Sequence, residues 1–163
     1  MVELIITMMV ISIAVLGITY SLSFAFKHQS DGVWQVKSVA LAEAYIDEIM
    51  ARRFDEATPI GGVPPCPTVL CTLPANFDEG ETRENFDDVD DFNGLDELPP
   101  LDAFGVARDQ YSGYRVQVAV SYASSQMVTE FGLDTATDAK LITVSITPPG
   151  RATLVFPFVR GNY

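Results

Sequence analysis

Residues 4–26 read LIITMMVISIAVLGITYSLSFAF, a run of 23 residues without a charged side chain. Because a helix rises about 1.5 Å per residue, the run spans roughly 35 Å, and the hydrocarbon core of a bilayer is roughly 30 Å thick. The run follows Glu3 and ends before Lys27 and His28. We therefore predict a hydrophobic helix over residues 1–28 that is long enough to cross a membrane.

The residues before the run decide between a signal peptide and a retained helix. A cleavable signal begins with basic residues and has a shorter apolar core, whereas this sequence begins Met1-Val2-Glu3. An ordinary membrane anchor explains the apolar run but gives no reason for the acid beside it. An acid at membrane depth is costly and usually has a partner. Glu3 is therefore a candidate functional residue.

Residues 29–53 continue the helix with a different pattern. Apolar residues recur at spacings of three and four from Val33 to Met50, and most charged residues lie between them, as on a helix with one buried face. We expect Trp34 and Tyr45 on that buried face. The turn-like residues 30–32 mark a place for a bend.

The C-terminal third has the alternation of a β-sheet. Residues 114–122 and 140–147 alternate apolar and polar side chains, which predicts two half-buried strands. Residues 151–159 follow a Pro-Pro-Gly turn and predict a third strand, in which Pro157 favours an edge position. Residues 124–138 are expected to form a connecting loop. Because an antiparallel sheet with one apolar face needs a cover, the helix of residues 29–53 is expected to supply it.

The predicted fold class is α+β, with a long N-terminal helix on a small antiparallel sheet. Residues 1–28 form the hydrophobic helix, and residues 29–163 form a globular head. The head contains the helix of residues 29–53, a loop region of residues 54–110 and the sheet of residues 111–163.

Cys66 and Cys71 lie in a segment rich in proline and glycine. A zinc site usually needs four Cys or His ligands, and the only histidine is His28. We predict a disulfide between the two cysteines, which indicates an oxidising compartment such as the periplasm or the cell exterior. The alternative is a pair of buried free thiols.

Half of the 22 acids lie in residues 78–102, together with a single base, Arg83. Calcium binds several oxygen ligands on a bending backbone. The candidate calcium ligands are the acids and amide just before Gly94: Asp87, Asp88, Asp90, Asp91 and Asn93. Their spacing is not that of an EF-hand. The alternative is a solvated acidic loop, neutralised in part by Arg83, with Phe86, Val89 and Phe92 beneath it.

The remaining composition excludes several classes of function. A net charge of −12 disfavours nucleic acid, since phosphate would be repelled. Cys66 has no histidine near it in sequence, and no glycine-rich phosphate loop is present. We therefore expect no catalytic residues and no enzyme activity.

The segment Met1-Val2-Glu3-Leu4-Ile5-Ile6 resembles the start of mature type IV pilins and type II secretion pseudopilins, the prepilin-type methylation motif. In these families a leader ending in Gly precedes Phe-Thr-Leu-Val-Glu-Leu, and the Glu neutralises the N-terminal amine of a neighbouring subunit. The resemblance implies this assembly role for Glu3. Aligned on it, the leader and two further residues are expected upstream of Met1. The implied partners are other pilin subunits, the inner membrane before assembly, and prepilin peptidase acting on the leader.

Three later segments, residues 40–49, 86–94 and 148–150, resemble the minor pilins of mannose-sensitive haemagglutinin (MSHA) pili. This resemblance implies a low-abundance subunit that contributes to priming or the tip of a filament used in surface attachment. It also implies a single-pass inner-membrane protein that becomes part of an extracellular pilus. Two alternatives stay open: a minor pseudopilin of a type II secretion system, and a membrane-anchored calcium-binding module.

Overall fold

The computed structural model of the chain describes residues 2–67, 69–77 and 80–163, with the backbone alone for residues 27–31. The side chains of Lys27 and His28 therefore lie outside the description. The backbone is helical through residues 30–32, where the sequence predicted a place for a bend. The described residues form two helices and four strands: α1 (Val2–Met50), β1 (Asp96–Glu97), β2 (Arg115–Tyr122), α2 (Ser125–Phe131), β3 (Ala139–Thr147) and β4 (Leu154–Gly161). The strands make one antiparallel sheet in the order β1-β2-β3-β4. The predicted α+β class is confirmed.

Helix α1 runs without interruption for 49 residues. It ends at Met50 rather than at the predicted Arg53, because the chain leaves the helix to make a bridge with the acidic region. In that bridge the Arg53 amide donates to the carbonyl of Asp87 at 3.2 Å, and the Val89 amide donates to the carbonyl of Arg53 at 3.1 Å.

The buried face of α1 is shorter than predicted. Val33, Val36 and Val39 are 57%, 70% and 41% exposed. The buried side chains begin later and keep the helical spacing: Ser38, Leu41, Ala42, Tyr45 and Ile49. The chain divides into two compact units, Met1–Lys37 and Ser38–Tyr163. Val33 and Val36 precede the second unit, so only the part of α1 from Ser38 onwards contributes to its core.

The sheet has one apolar face, as the alternation predicts. Its centre consists of three directly opposed pairs from β2 and β3: Val116 with Ile146, Val118 with Val144, and Val120 with Ile142. All six side chains are buried. Directly opposed β-branched pairs each stabilise a sheet by about 0.2–1 kcal/mol relative to alanine. Strand β4 is at the edge of the sheet, where Pro157 was expected.

Two elements correct the sequence prediction. Helix α2 lies in the segment predicted as a connecting loop. The Ser124 hydroxyl caps it by accepting from the Met127 amide, and Gly132 ends it at φ 64°, a left-handed conformation that glycine adopts without strain. Strand β1 lies in the region predicted as loop, and its two residues are too few to give a periodic pattern.

Candidate functional site

The first candidate site is the apolar segment of α1. Val2–Phe26 is 25 residues long, and its length and composition are sufficient to cross a membrane. No residue in its most apolar 18-residue stretch is buried. Glu3 lies in the first turn of α1, where the partial positive charge of the helix N-terminus favours an acidic side chain.

Four hydroxyl groups of this segment are hydrogen-bonded within the helix. Thr7 donates to the carbonyl of Leu4 at 3.0 Å, and Ser12 donates to the carbonyl of Met8 at 2.7 Å. Ser23 and Thr19 bond to carbonyls four residues earlier in the same way. Because an unpaired polar group is costly in an apolar medium, these bonds allow the hydroxyls to lie in lipid or among apolar helices.

The predicted disulfide between Cys66 and Cys71 is present. Its loop is attached to the C-terminus through the side chain of Asn162, which accepts from the Cys66 amide at 2.9 Å and donates to the Cys66 carbonyl at 2.8 Å. Both cysteines are buried, and they form a cluster with Phe54 and Tyr122. The disulfide is therefore part of the core of the unit Ser38–Tyr163.

Two of the candidate calcium ligands, Asp88 and Asp91, organise their own loop, and a third, Asp87, contacts the chain after α1. The Asp91 carboxylate accepts from the amides of Asp87 at 2.8 Å and Asp88 at 3.0 Å. The Asp88 carboxylate accepts from the amide of Asp90 at 2.6 Å. Asp87 forms an ion pair with Arg53. These contacts surround the 3₁₀ turn Asp90–Phe92.

The other two candidate calcium ligands point to different partners. Asp90 Oδ1 lies 2.7 Å from the ammonium of Lys140. The side-chain oxygen of Asn93 accepts from the amide of Val120 at 3.0 Å and so attaches the loop to β2. Binding of calcium by these residues stays a prediction, and it requires the ion to replace these protein partners.

A different set of acids comes together beside the loop. The carboxylates of Glu56, Asp87 and Asp88 lie within 4.8 Å of one another. Arg53 Nη2 is 2.8 Å from Glu56 Oε2 and also pairs with Asp87. The guanidinium therefore already neutralises the two exposed acids of this set.

The second candidate site is a buried ionic cluster formed by Lys140, Asp55 and Asp90. Their side chains are 0%, 0% and 2% exposed. Lys140 Nζ lies 2.7 Å from Asp90 Oδ1 and 3.2 Å from Asp55 Oδ2, and it donates to the carbonyl of Phe54 at 2.6 Å. One cation therefore contacts two carboxylates inside the core.

Backbone pairing brings the members of the buried ionic cluster together. Lys140 lies in β3 two residues before Ile142 and faces the same side of the sheet. The bridge between Arg53 and Asp88 aligns the chain after α1 with the acidic loop, so that Asp55 and Asp90 approach each other. The sequence contained one signal for the burial of Lys140. This residue lies two residues before Ile142 in an alternating strand, so the pattern that buries Ile142 also buries Lys140.

Aromatic rings surround the ammonium of Lys140. The ring centroids of Phe54, Phe77 and Tyr122 lie 4.3, 5.3 and 5.4 Å from Nζ. A cation within about 6 Å of a ring centroid is attracted by the ring, and the attraction is larger where water is excluded. The rings therefore stabilise the cation and also keep solvent away from it.

The two carboxylates of the cluster differ in their surroundings. Burial opposes ionisation of Asp55, but the charge of Lys140 and hydrogen bonds from the Ala57 and Thr72 amides hold its pKa below the ordinary value. Burial raises the pKa of Asp90 to about 8, despite the opposing effect of Lys140. Asp55 is therefore the ionised carboxylate of the cluster. Burial favours the neutral, protonated form of Asp90.

A second buried group of charges consists of Arg83 and its two acidic partners, Glu48 and Glu97. Arg83 Nη1 lies 2.6 Å from Glu48 Oε1, and Arg83 Nε donates to Glu97 at 3.0 Å. Its guanidinium also lies 5.4 Å from the ring centroid of Phe86 and 5.1 Å from that of Phe92. Because Glu97 belongs to the acidic stretch, the prediction that Arg83 neutralises part of this stretch is confirmed.

Comparison of the chain with protein-family models, with curated proteins and with solved structures gave no match in any of the three. The structure alone therefore defines the class of protein. It is an α+β chain with an N-terminal apolar helix long enough to cross a membrane.

Proposed function

We propose that the chain is a minor subunit of a type IV pilus of the MSHA type, most similar to minor pilin D of such pili. The observation that carries the proposal is the apolar segment Val2–Phe26, which is exposed over its length and has Glu3 in its first turn. Apolar surface in water costs roughly 25 cal/mol per Å². A segment of this size therefore needs a cover of lipid or of other helices.

The proposed assembly exchanges one apolar cover for another. Before assembly the segment lies in the inner membrane, and in the filament it packs among the helices of neighbouring subunits. The apolar surface of the segment is covered both in lipid and in the filament, so its burial gives little net driving force for assembly. A specific polar contact is therefore needed to favour the filament. Glu3 supplies that contact by pairing with the N-terminal amine of a neighbour, because a carboxylate and an ammonium in an apolar setting are each stabilised by the other.

The chemistry of the head is consistent with this route. A disulfide between Cys66 and Cys71 is stable in the periplasm and outside the cell. The intrahelical bonds of Thr7, Ser12 and Ser23 suit both lipid and a helix bundle. The proposed product is a filament subunit for priming or the tip, and its role in surface attachment follows from the type of pilus.

The test is incorporation of a Glu3→Ala variant in cells that make the pilus. Filaments are sheared from the cells, and the subunit is quantified by immunoblot in the filament and membrane fractions. We expect normal membrane levels and a loss of roughly tenfold or more from filaments, about the effect of one charged contact of 1.4 kcal/mol or more. Glu43→Ala is the matched control, since Glu43 is an exposed acid on the same helix. Wild-type levels of Glu3→Ala in filaments would contradict the proposal.

A further inference from the structure

The buried ionic cluster holds an amine in direct contact with two carboxyl groups. Lys140 Nζ is 2.7 Å from an oxygen of Asp90 and 3.2 Å from an oxygen of Asp55. The three groups come from β3, from the acidic loop and from the segment after α1, and the bridge between Arg53 and Asp88 joins the last two segments. Fixed reactants of this kind react far faster than the same groups in solution.

The hydrogen bonds give the two carboxyl groups different chemical roles. Asp55 accepts from the Thr72 amide at 2.9 Å, the Thr72 hydroxyl at 3.2 Å and the Ala57 amide at 3.1 Å. Donors of this kind stabilise a carboxylate in its ionised form, and Oδ2 of this carboxylate lies 3.2 Å from the ammonium of Lys140, the proton donor nearest to it in the cluster. Such a carboxylate is a poor target for a nucleophile.

Asp90 has the opposite surroundings. Its Oδ1 faces Lys140, and its Oδ2 is buried without a hydrogen-bond partner among the described residues. Burial disfavours the charged form of a carboxyl group, and the neutral acid is the form in which an amine can attack the carbon. Asp90 is therefore the electrophile of the cluster.

Solvent exclusion favours the condensed product. The rings of Phe54, Phe77 and Tyr122 surround Lys140 Nζ, and all three reacting side chains are buried. A condensation that releases water is reversed by water. A dry site therefore favours the bond and protects it once it has formed.

We propose that Lys140 and Asp90 join in an intramolecular amide bond, with Asp55 as the general base. Asp55 takes one proton from the ammonium of Lys140. The amine then attacks Cγ of the protonated Asp90, a C–N bond forms, and the C–OH bond breaks. The hydroxyl leaves with a second proton from nitrogen as water, and the third proton stays on the amide. No oxidant, reductant or cofactor takes part.

The bond would cross-link the strand β3 to the acidic loop within the core of the unit Ser38–Tyr163. Fifty residues separate Asp90 from Lys140 in the sequence. A covalent link across that distance limits the unfolded chain much as a disulfide does. It would not be opened by thiols, unlike the bond between Cys66 and Cys71.

Mass spectrometry of the full chain tests the proposal. The chain is purified in detergent, reduced, denatured and weighed intact, with its N-terminus determined on the same sample. We expect a mass lower than that of the sequence by one water molecule. Since Asp31-Gly32 can also lose water by cyclising on itself, the intact mass is followed by peptide mapping. Trypsin is expected to give residues 84–108 joined to residues 116–151, with Lys140 uncleaved.

Variants identify the two groups that form the bond. Asp90→Ala and Lys140→Met are each expected to restore the full mass and to abolish the joined peptide. Asp96 is an exposed acid of the same region. The Asp96→Ala variant is expected to keep the loss of one water molecule and the joined peptide. A wild-type chain of full mass would overturn the proposal, and so would a water loss without the joined peptide. A link from Lys140 to Asp55 would overturn the assigned roles.

Discussion

The hydroxyl of Tyr45 donates a hydrogen bond to the carboxylate of Glu97, 52 residues further along the chain, and so joins the buried face of α1 to β1. The same hydroxyl accepts from the amide of Leu101 at 3.1 Å. Burial, together with the hydrogen bond to Glu97, raises the pKa of Tyr45 far above its ordinary value. The hydroxyl therefore keeps its proton and remains a donor at any physiological pH.

Tyr45→Phe removes this donor but keeps the ring. Glu97 Oε2 would keep the bond from the Leu101 amide at 2.9 Å but would lose the hydroxyl donor, and a hydrogen bond to a charged group contributes about 1.5–3 kcal/mol. We expect the free energy of unfolding of the unit Ser38–Tyr163 to fall by that amount in chemical denaturation of the full chain in detergent. Tyr20→Phe, at an exposed position of the apolar segment, is the matched control. Equal stability of the two variants would contradict the role of the hydroxyl.

Local patterns predicted the parts of the fold that local forces determine. The alternation of residues 114–122 and 140–147 predicted β2 and β3, because every second side chain enters the core. Pro157 indicated the edge strand since it has no amide to donate. The pairing of the two cysteines also followed from the sequence, because only one pairing exists.

Long-range contacts determine what the sequence did not predict. Lys140 has the phase of a core residue, but a buried lysine needs partners, and Asp55 is 85 residues away. The exposure of Val33 and Val36 has a similar origin, since the helical pattern cannot tell where the second unit begins. The sequence analysis missed helix α2, although Ser124 caps its start and Gly132 ends it. Seven residues make only about two turns, which are too few for a clear helical periodicity.

The stability of the unit Ser38–Tyr163 is expected to depend on pH through Asp88. Burial and the charge of Asp91 raise the pKa of Asp88 to about 7 from an ordinary value of 3.8. The folded chain therefore holds a proton that the unfolded chain loses first. The stabilisation is complete below about pH 4, falls as pH rises and is lost above about pH 7.

Thermal unfolding between pH 4 and pH 8 tests this dependence. Asp88→Asn is neutral at every pH and keeps an oxygen that can accept from the Asp90 amide. We expect the fall in melting temperature toward pH 8 to be smaller in this variant than in the wild type. Asp96→Asn is the control, because Arg115 lowers the pKa of that exposed acid and its titration ends below the tested range. An unchanged slope in Asp88→Asn would exclude Asp88 as the source.

Removal of the disulfide has a calculable effect. The bond closes a loop with a sequence separation of 5. The chain-entropy relation gives a stabilisation of about 2 kcal/mol for a loop of this length. We expect the double variant Cys66→Ala and Cys71→Ala to lose about that much in the free energy of unfolding. A reducing agent should produce the same loss in the wild type and none in the variant, which provides an internal control.

The calcium hypothesis is tested by the melting temperature with calcium and with a chelator. Calcium takes six to eight oxygen ligands, whereas Asp87, Asp90 and Asn93 have Arg53, Lys140 and the Val120 amide as partners. We therefore expect no shift at millimolar calcium. A rise in melting temperature that is lost in Asp87→Asn would show instead that the loop binds the ion.

Arg83 and Arg115 provide a comparison of buried and exposed ion pairs in one chain. The side chains of Arg83, Glu48 and Glu97 are each less than one-tenth exposed, whereas Arg115 and its partner Asp96 are 49% and 39% exposed. Loss of one partner of a buried pair costs about 3–5 kcal/mol, because it leaves an uncompensated charge. An exposed pair contributes little to stability, because water and salt screen its charges.

We therefore expect Arg83→Met to lower the free energy of unfolding by several kcal/mol and Arg115→Met to lower it far less, because solvent screens the exposed pair. Adding Glu48→Gln and Glu97→Gln to Arg83→Met removes the charges of both former partners, of which Glu48 keeps only Arg52 at 3.9 Å. The triple variant should therefore recover part of the loss. Denaturation of the four proteins at one pH and ionic strength measures all of these differences. If Arg83→Met were no more destabilising than Arg115→Met, the guanidinium would contribute only packing to the core. If the triple variant recovered nothing, the loss would come from the contacts with Phe86 and Phe92 rather than from the charges of Glu48 and Glu97.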